Sequence, residues 1–118
     1  MLLVYNCKPG HINGGVCMAF VPEHIFREYD IRGIADTELT DEVVMSVGQA
    51  FGTWLSARGV RRATLGGDVR LSTKRIKAAA AAGMMKAGIN VTDIGVVSTP
   101  TFYWSMYHLD ADGGLMVT

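Results

Sequence analysis

At 118 residues, 49% hydrophobic and 19% charged, the chain is long enough for one domain with a real core and has the make-up of ordinary globular material, which excludes a disordered or fibrous protein. Eleven basic and eleven acidic residues balance to zero, so no overall field argues for nucleic acid or an anionic membrane as partner; a local basic patch stays open. No apolar run approaches a membrane span, and the opening run, residues 1–5, is too short and lacks a preceding basic residue for a signal sequence, so a cytoplasmic location is expected.

Residues 1–24 read as an irregular leader and residues 25–118 as the domain, because residues 6–15 show neither helical nor strand period. Met18 stands just ahead of the ordered pattern and is a second candidate start beside Met1. Cys7 and Cys17 both fall in the leader and form neither a CxxC pair nor a metal set, so free thiols in a reducing compartment are expected. His11, His24 and His108 show no ligand spacing and receive no role.

Residues 26–33 open the domain. Ile25, Tyr29 and Ile31 alternate with Glu28, Asp30 and Arg32, the pattern of a half-buried strand, and Gly33 suits a turn after it. Arg32 would then sit at a strand end, where its planar guanidinium could grip a phosphate through two parallel hydrogen bonds, with the Tyr29 hydroxyl adding another. The competing reading is a surface ion pair of Arg32 with Asp30 or Glu28.

Thr40 is placed to cap a helix whose first turn carries Asp41 and Glu42. Val43, Val44, Val47, Ala50, Phe51, Trp54 and Leu55 form its apolar face and Gly59 its stop. Each large side chain on that face would contribute roughly 1.5 to 3 kcal/mol on burial. A strand over residues 62–66 runs into the Gly67-Asp68-Val69-Arg70-Leu71-Ser72 loop.

A second helix spans about residues 73–87, with Gly88 as terminator. Its small face, Ala79, Ala80, Gly83 and Ala87 with Ile76 and Met84, suits a sheet. Lys74, Arg75 and Lys77 occupy its first turn against the helix dipole, which makes sense either if an anion is held there or if the side chains run into water.

Residues 91–97 read as a central strand. Ser98 then caps a third helix, with Pro100 in its first turn and Phe102, Tyr103, Met106, Tyr107 and Leu109 on its apolar side. Residues 110–113 are a turn and residues 114–118 the last strand.

Strands separated by helices at this spacing make βαβ crossovers, so the fold class is α/β: a three-layer α/β/α sandwich with a mostly parallel mixed sheet. Ligands collect at the carboxyl ends of such strands, which places residues 66–72, Thr118 and Arg32 on the expected functional edge. Neither GxGxxG nor GxxxxGK[ST] is present, so a dinucleotide or P-loop reading lacks its phosphate cradle. A flavodoxin-like domain would need a phosphate loop that is likewise missing.

The Tyr29-Asp30-Ile31-Arg32-Gly33 core, the Gly66-Gly67-Asp68-Val69-Arg70-Leu71-Ser72 loop, Gly95-Val96-Val97-Ser98-Thr99-Pro100 and the closing Gly113-Gly114-Leu115-Met116-Val117-Thr118 resemble, in order and spacing, the first domain of the α-D-phosphohexomutases. The branch is that of bacterial phosphomannomutase/phosphoglucomutase, and the resemblance covers about residues 25–118. It implies a four-domain enzyme that moves a phosphoryl group between the 1 and 6 hydroxyls of a hexose through a phosphoserine and Mg2+, with a hexose phosphate as substrate. The phosphoserine would be the second residue beyond Thr118, so no catalytic residue falls inside this sequence.

Carried over, Tyr29 and Arg32 match a Tyr-x-x-Arg at the active-site entrance, and Arg70 and Asp68 match a Gly-Arg-Asp-x-Arg loop that frames the site. Gly67 stands where the family usually has arginine. Thr118 would support the serine loop. Metal carboxylates, sugar recognition and the distal phosphate site would lie in the other domains, so these 118 residues alone are expected to be inactive, to hold no metal, and to self-associate through surface that those domains would cover. The alternative is a stand-alone, non-catalytic α/β binding or interaction module of the same fold. The sequence leaves open the choice among mannose, glucose and glucosamine phosphates.

Overall fold

The computed structural model describes residues 20–118 and, as backbone, the strand Leu2–Tyr5; Cys7, His11, Cys17 and Met18 lie outside the described residues. The elements in chain order are β1 (Leu2–Tyr5), α1 (Asp41–Ser56), β2 (Arg62–Gly67), α2 (Thr73–Lys86), β3 (Asn90–Val96), α3 (Thr99–His108) and β4 (Gly113–Val117). The sheet order is β1-β4-β2-β3, with β2 parallel to both β3 and β4 and β1 antiparallel to β4. Leu2–Tyr5, expected within an irregular leader, is therefore an edge strand.

Local signals act as expected in the helices. The Thr40 hydroxyl accepts from the Val43 amide at 3.4 Å and Ser98 accepts from Thr101 at 3.4 Å, each satisfying an orphan donor. Gly59 and Gly88 end α1 and α2 with φ of +78° and +83°, which a side chain would resist.

Sheet alternation splits the core. Ala63, Leu65, Leu115 and Val117 belong to the cluster with Val43, Val44, Val47, Phe51 and Leu55 of α1 and Ile76, Ala80 and Met84 of α2. On the opposite face Phe102 of α3 lies over Gly66 and Gly114: a β-carbon at Gly114 would come within 2.6 Å of its ring. These are the three layers expected.

Four expectations need correction. The small face of α2 packs chiefly against α1 rather than only on the sheet, since a β-carbon at Gly48 would lie 2.5 Å from the Ala80 carbonyl oxygen and one at Gly52 3.0 Å from that of Met84. Small residues on both helices allow that approach, and the sheet takes the larger side chains.

Residues 91–97 do not form a central strand: β3 is an edge of the described sheet, with Val96 64% exposed. In α3, Tyr107 is 87% exposed while Ser105 is buried, because a three-turn helix resting on one face of a sheet buries a narrow stripe through Phe102, Ser105 and Met106.

Residues 26–33 are not a half-buried strand. The chain reverses within residues 27–30, closed by a bridge between Phe26 and Ile31 and by bonds from Arg27 N to Asp30 O and Arg32 N to Ile25 O, both 2.8 Å. Ile25 and Ile31 enter the core, but Tyr29 is left exposed and Asp30 is turned in. Gly33 does not adopt a positive φ; it makes room for Leu39, whose Cγ would be 3.1 Å from a β-carbon there.

Candidate functional site

The three parallel strands end together. Val97 N donates to Gly67 O at 3.0 Å and Asp68 N donates to Val117 O at 2.9 Å, so Asp68 leaves β2 beside the point where Thr118 leaves β4. The Asp68 carboxylate then organises the loop into α2: Oδ1 accepts from the Thr73 hydroxyl at 2.5 Å and the Arg70 amide at 3.1 Å, and Oδ2 accepts from Arg70 Nε at 3.0 Å. Burial works to raise its pKa, but these hydrogen bonds and the Arg70 charge outweigh that and hold it below the usual carboxylate value. Arg70 itself extends outward.

In the other loop, Arg32 Nε donates to both Asp30 oxygens at 2.9 Å and Nη2 lies 2.8 Å from Oδ2. The Asp30 side chain is 6% exposed and that of Arg32 63%. The hydrogen bonds to Asp30, and then its charge, raise the Arg32 pKa further above its ordinary value. The expected ion pair thus exists, and it does not use up the guanidinium: the two Nη1 hydrogens and one on Nη2 stay available, and the exposed Tyr29 lines the same hollow. Asp30, which the alternation placed on the charged outer side, is the buried group that orients Arg32; the Asp-x-Arg spacing is the signal that could have found it.

Tyr29 and Arg32 line one hollow of about 510 Å³ together with Arg27, Glu28 and Asp30. Asp68 and Arg70 line another, of about 460 Å³, with Lys74 and Lys77. No residue belongs to both, so the described residues bring the candidates together as two pairs rather than one cluster.

Of the three cations in the first turn of α2, two are held by protein groups and one runs into water. Arg75 is spent on structure, donating to Asp41 at 2.5 Å and to the carbonyls of Leu39 and Ala35 at 3.1 and 2.6 Å, which ties α2 to the segment before α1. Lys77 lays its stem across Gly67 and donates to Asp93 and to the Gly95 carbonyl. Lys74 alone of the three points into water. His24, assigned no role, pairs with Glu38 at 2.5 Å; the Ile34 amide first and then His24 lower the Glu38 pKa.

Among the described residues no three His, Cys, Asp or Glu side chains converge as a metal site. The donor set near the strand ends, a single carboxylate that already accepts three hydrogen bonds from Thr73 and Arg70, does not fit a Mg2+ ion on its own.

The profile of the phosphoglucomutase/phosphomannomutase α/β/α domain I matches residues 23–118. The chain belongs to that family. It is 43% identical over 95 residues to a phosphomannomutase of Vibrio cholerae, the matched part being 79% of this chain and 20% of that protein. Against a phosphoglucomutase/phosphomannomutase of Thermococcus kodakarensis it is 38% identical, covering 80% of this chain and 21% of the relative.

A solved phosphoglucomutase/phosphomannomutase family structure from Burkholderia thailandensis superposes with a TM-score of 0.71 at 37% identity, over 73% of this chain and 19% of that one. The chain thus spans about a fifth of these relatives and has the α/β/α fold of their domain I.

Proposed function

We infer that this chain serves as the first domain of a phosphohexomutase, an enzyme that shifts a phosphoryl group between the 1 and 6 hydroxyls of a hexose. The match of residues 23–118 to domain I of that family carries the reading. Phosphoryl transfer rests on positioning and on neutralising charge at the transferring oxygens. Within this domain Arg32, held edge-on by Asp30, would present its remaining N–H donors to a substrate phosphate while the Tyr29 hydroxyl donates beside it. Asp68 would fix the path of the loop at the β2 end, and Arg70 would add positive charge there. Thr118 would lead into the loop that carries the phosphoserine. Mg2+, held by carboxylates of another domain, would supply charge neutralisation at the phosphate.

On this reading the domain alone turns over nothing, because phosphoserine, metal and sugar contacts lie outside it. The whole enzyme works in the cytoplasm, where phosphorylated sugars are retained by their charge. The test is the coding sequence after the Thr118 codon followed by assay. An x-Ser-His-Asn-Pro continuation, with Mg2+-dependent mutase activity in the longer protein and none in residues 1–118, is expected. A chain that stops there and binds no hexose phosphate would leave a non-catalytic module.

A further inference from the structure

Lys77 stands one turn into α2, on the face turned to the sheet, and its side chain is only 10% exposed. Its stem fills the room above Gly67, where a β-carbon would come within 2.7 Å of Lys77 Cδ. Its ammonium donates to Asp93 Oδ1 and, at 3.1 Å, to the Gly95 carbonyl. The same Asp93 oxygen accepts from the Gly95 amide at 2.8 Å, so the lysine, the carboxylate and both polar groups of Gly95 form one closed network.

That network surrounds an irregularity. Leu65 pairs with Asp93 but Gly66 pairs with Gly95, which leaves Ile94 as an extra residue on β3, and Gly95 takes a φ of +80° to absorb it. An extra residue reverses the side of the sheet that each later side chain faces. Val96 consequently shares the α2 side with Lys77, in the hollow that Asp68 and Arg70 line, while Val97 turns to the α3 side, where its Cγ2 would lie 3.1 Å from a β-carbon at Gly66. Val97 N then donates to Gly67 O, and the residue after Gly67, Asp68, begins the loop.

We propose that Lys77 is a positioning residue for the strand-end site: pinned between Asp93 and Gly95, it holds the bulge of β3 in place and, through it, the paired ends of β2 and β3 from which the Asp68–Arg70 loop springs. A lysine suits this task because its long apolar stem crosses the layer between helix and sheet and still delivers a charge to the edge strand. A buried ammonium is costly to leave without its carboxylate, so the side chain cannot let go of Asp93 without moving the bulge or the first turn of α2. The consequence for phosphoryl transfer rests on the phosphohexomutase reading above; the placement of the loop does not.

Amide exchange by NMR on the full chain tests the placement. Asp93→Asn, at a side chain 59% exposed, removes the charge that holds the ammonium. The Gly95, Val97 and Asp68 amides are expected to exchange about tenfold faster or more, with the Val43 amide at the cap of α1 unchanged. Lys77→Met keeps an apolar stem without the charge; it should affect the same amides, and the double variant should do no more than either substitution alone. Val97 and Asp68 amides that keep their protection in Asp93→Asn, or effects of the two substitutions that simply add, would overturn the proposal; if Lys77→Met does not fold, Asp93→Asn decides alone. In the longer protein Asp93→Asn should lower kcat about tenfold while KM for the hexose phosphate stays within about twofold. An unaltered kcat would overturn the positioning role, whereas a longer protein with no mutase activity at all would sink the phosphohexomutase reading and leave the amide result to decide the placement.

Discussion

The two Asp-x-Arg pairs share a spacing and differ in what the carboxylate serves. Asp30 is buried and gives both oxygens to Arg32, so the acid exists to hold the arginine at the surface. Asp68 divides its oxygens among Thr73, the Arg70 amide and Arg70 Nε, so here the acid holds the loop and the start of α2, and the guanidinium is one of three donors. Two residues of separation bring an acid and a guanidinium to the same side of a loop in both cases. Which partner is the functional one depends on which is buried and on who else competes for the carboxylate. By that criterion the first pair presents a charge and the second shapes a backbone.

The largest expected effect tests the first half of that contrast. In a full-length enzyme Arg32→Ala should lower turnover by about an order of magnitude or more, a loss of roughly 1.4 kcal/mol in transition-state stabilisation, and should also lower stability in urea because the buried Asp30 carboxylate loses its partner. Near-normal kinetics would reduce the pair to surface decoration. Next in size, Asp68→Ala should destabilise the domain by about 1 to 2 kcal/mol in urea unfolding, because the Thr73 hydroxyl and the Arg70 amide lose their acceptor. Asp30→Ala should cost less stability than that while weakening phosphate binding, since it frees Arg32 into water; the reverse order would break the comparison.

The acid limb sharpens it further. Asp68 has a folded pKa below its unfolded one, so its contribution is present above the unfolded carboxylate value, about 3.9, and fades as pH falls through the lower folded value. The stability gap between the natural chain and Asp68→Asn should therefore be constant near neutrality and close at strongly acid pH. A gap that persists unchanged there would remove the carboxylate charge as its cause. Smallest of all, Arg70→Ala should shift stability by no more than about 0.5 kcal/mol, since its side chain is 71% exposed.

Much of the helical structure was legible because its signals act over one turn. Thr40 and Ser98 cap where they stand, and Gly59 and Gly88 stop what precedes them. The candidate residues were legible as types and spacings through the Tyr29–Arg32 and Asp68–Arg70 motifs. Their partners were not. Nothing local announces that Arg75 reaches back to the carbonyls of Ala35 and Leu39, or that Lys77 crosses Gly67 to reach Asp93. The alternation in residues 25–32 failed for a related reason: Ile25 and Ile31 are buried in a strand and equally buried in a reversal whose two arms face the same core.

The sequence by itself determined the α/β class, the three helices, the three parallel strands and the identity of the acids and arginines on offer, because periodicity, capping and glycine act between residues a few positions apart. Tertiary structure alone decided that β3 is an edge, that β4 is covered by Leu2–Tyr5, that α1 and α2 meet through Gly48 and Gly52, and that Asp30 rather than Arg32 is buried. Those outcomes depend on which distant surfaces exclude water together. That choice is made by the whole chain at once, because each apolar face has several segments able to cover it and only the complete packing selects among them.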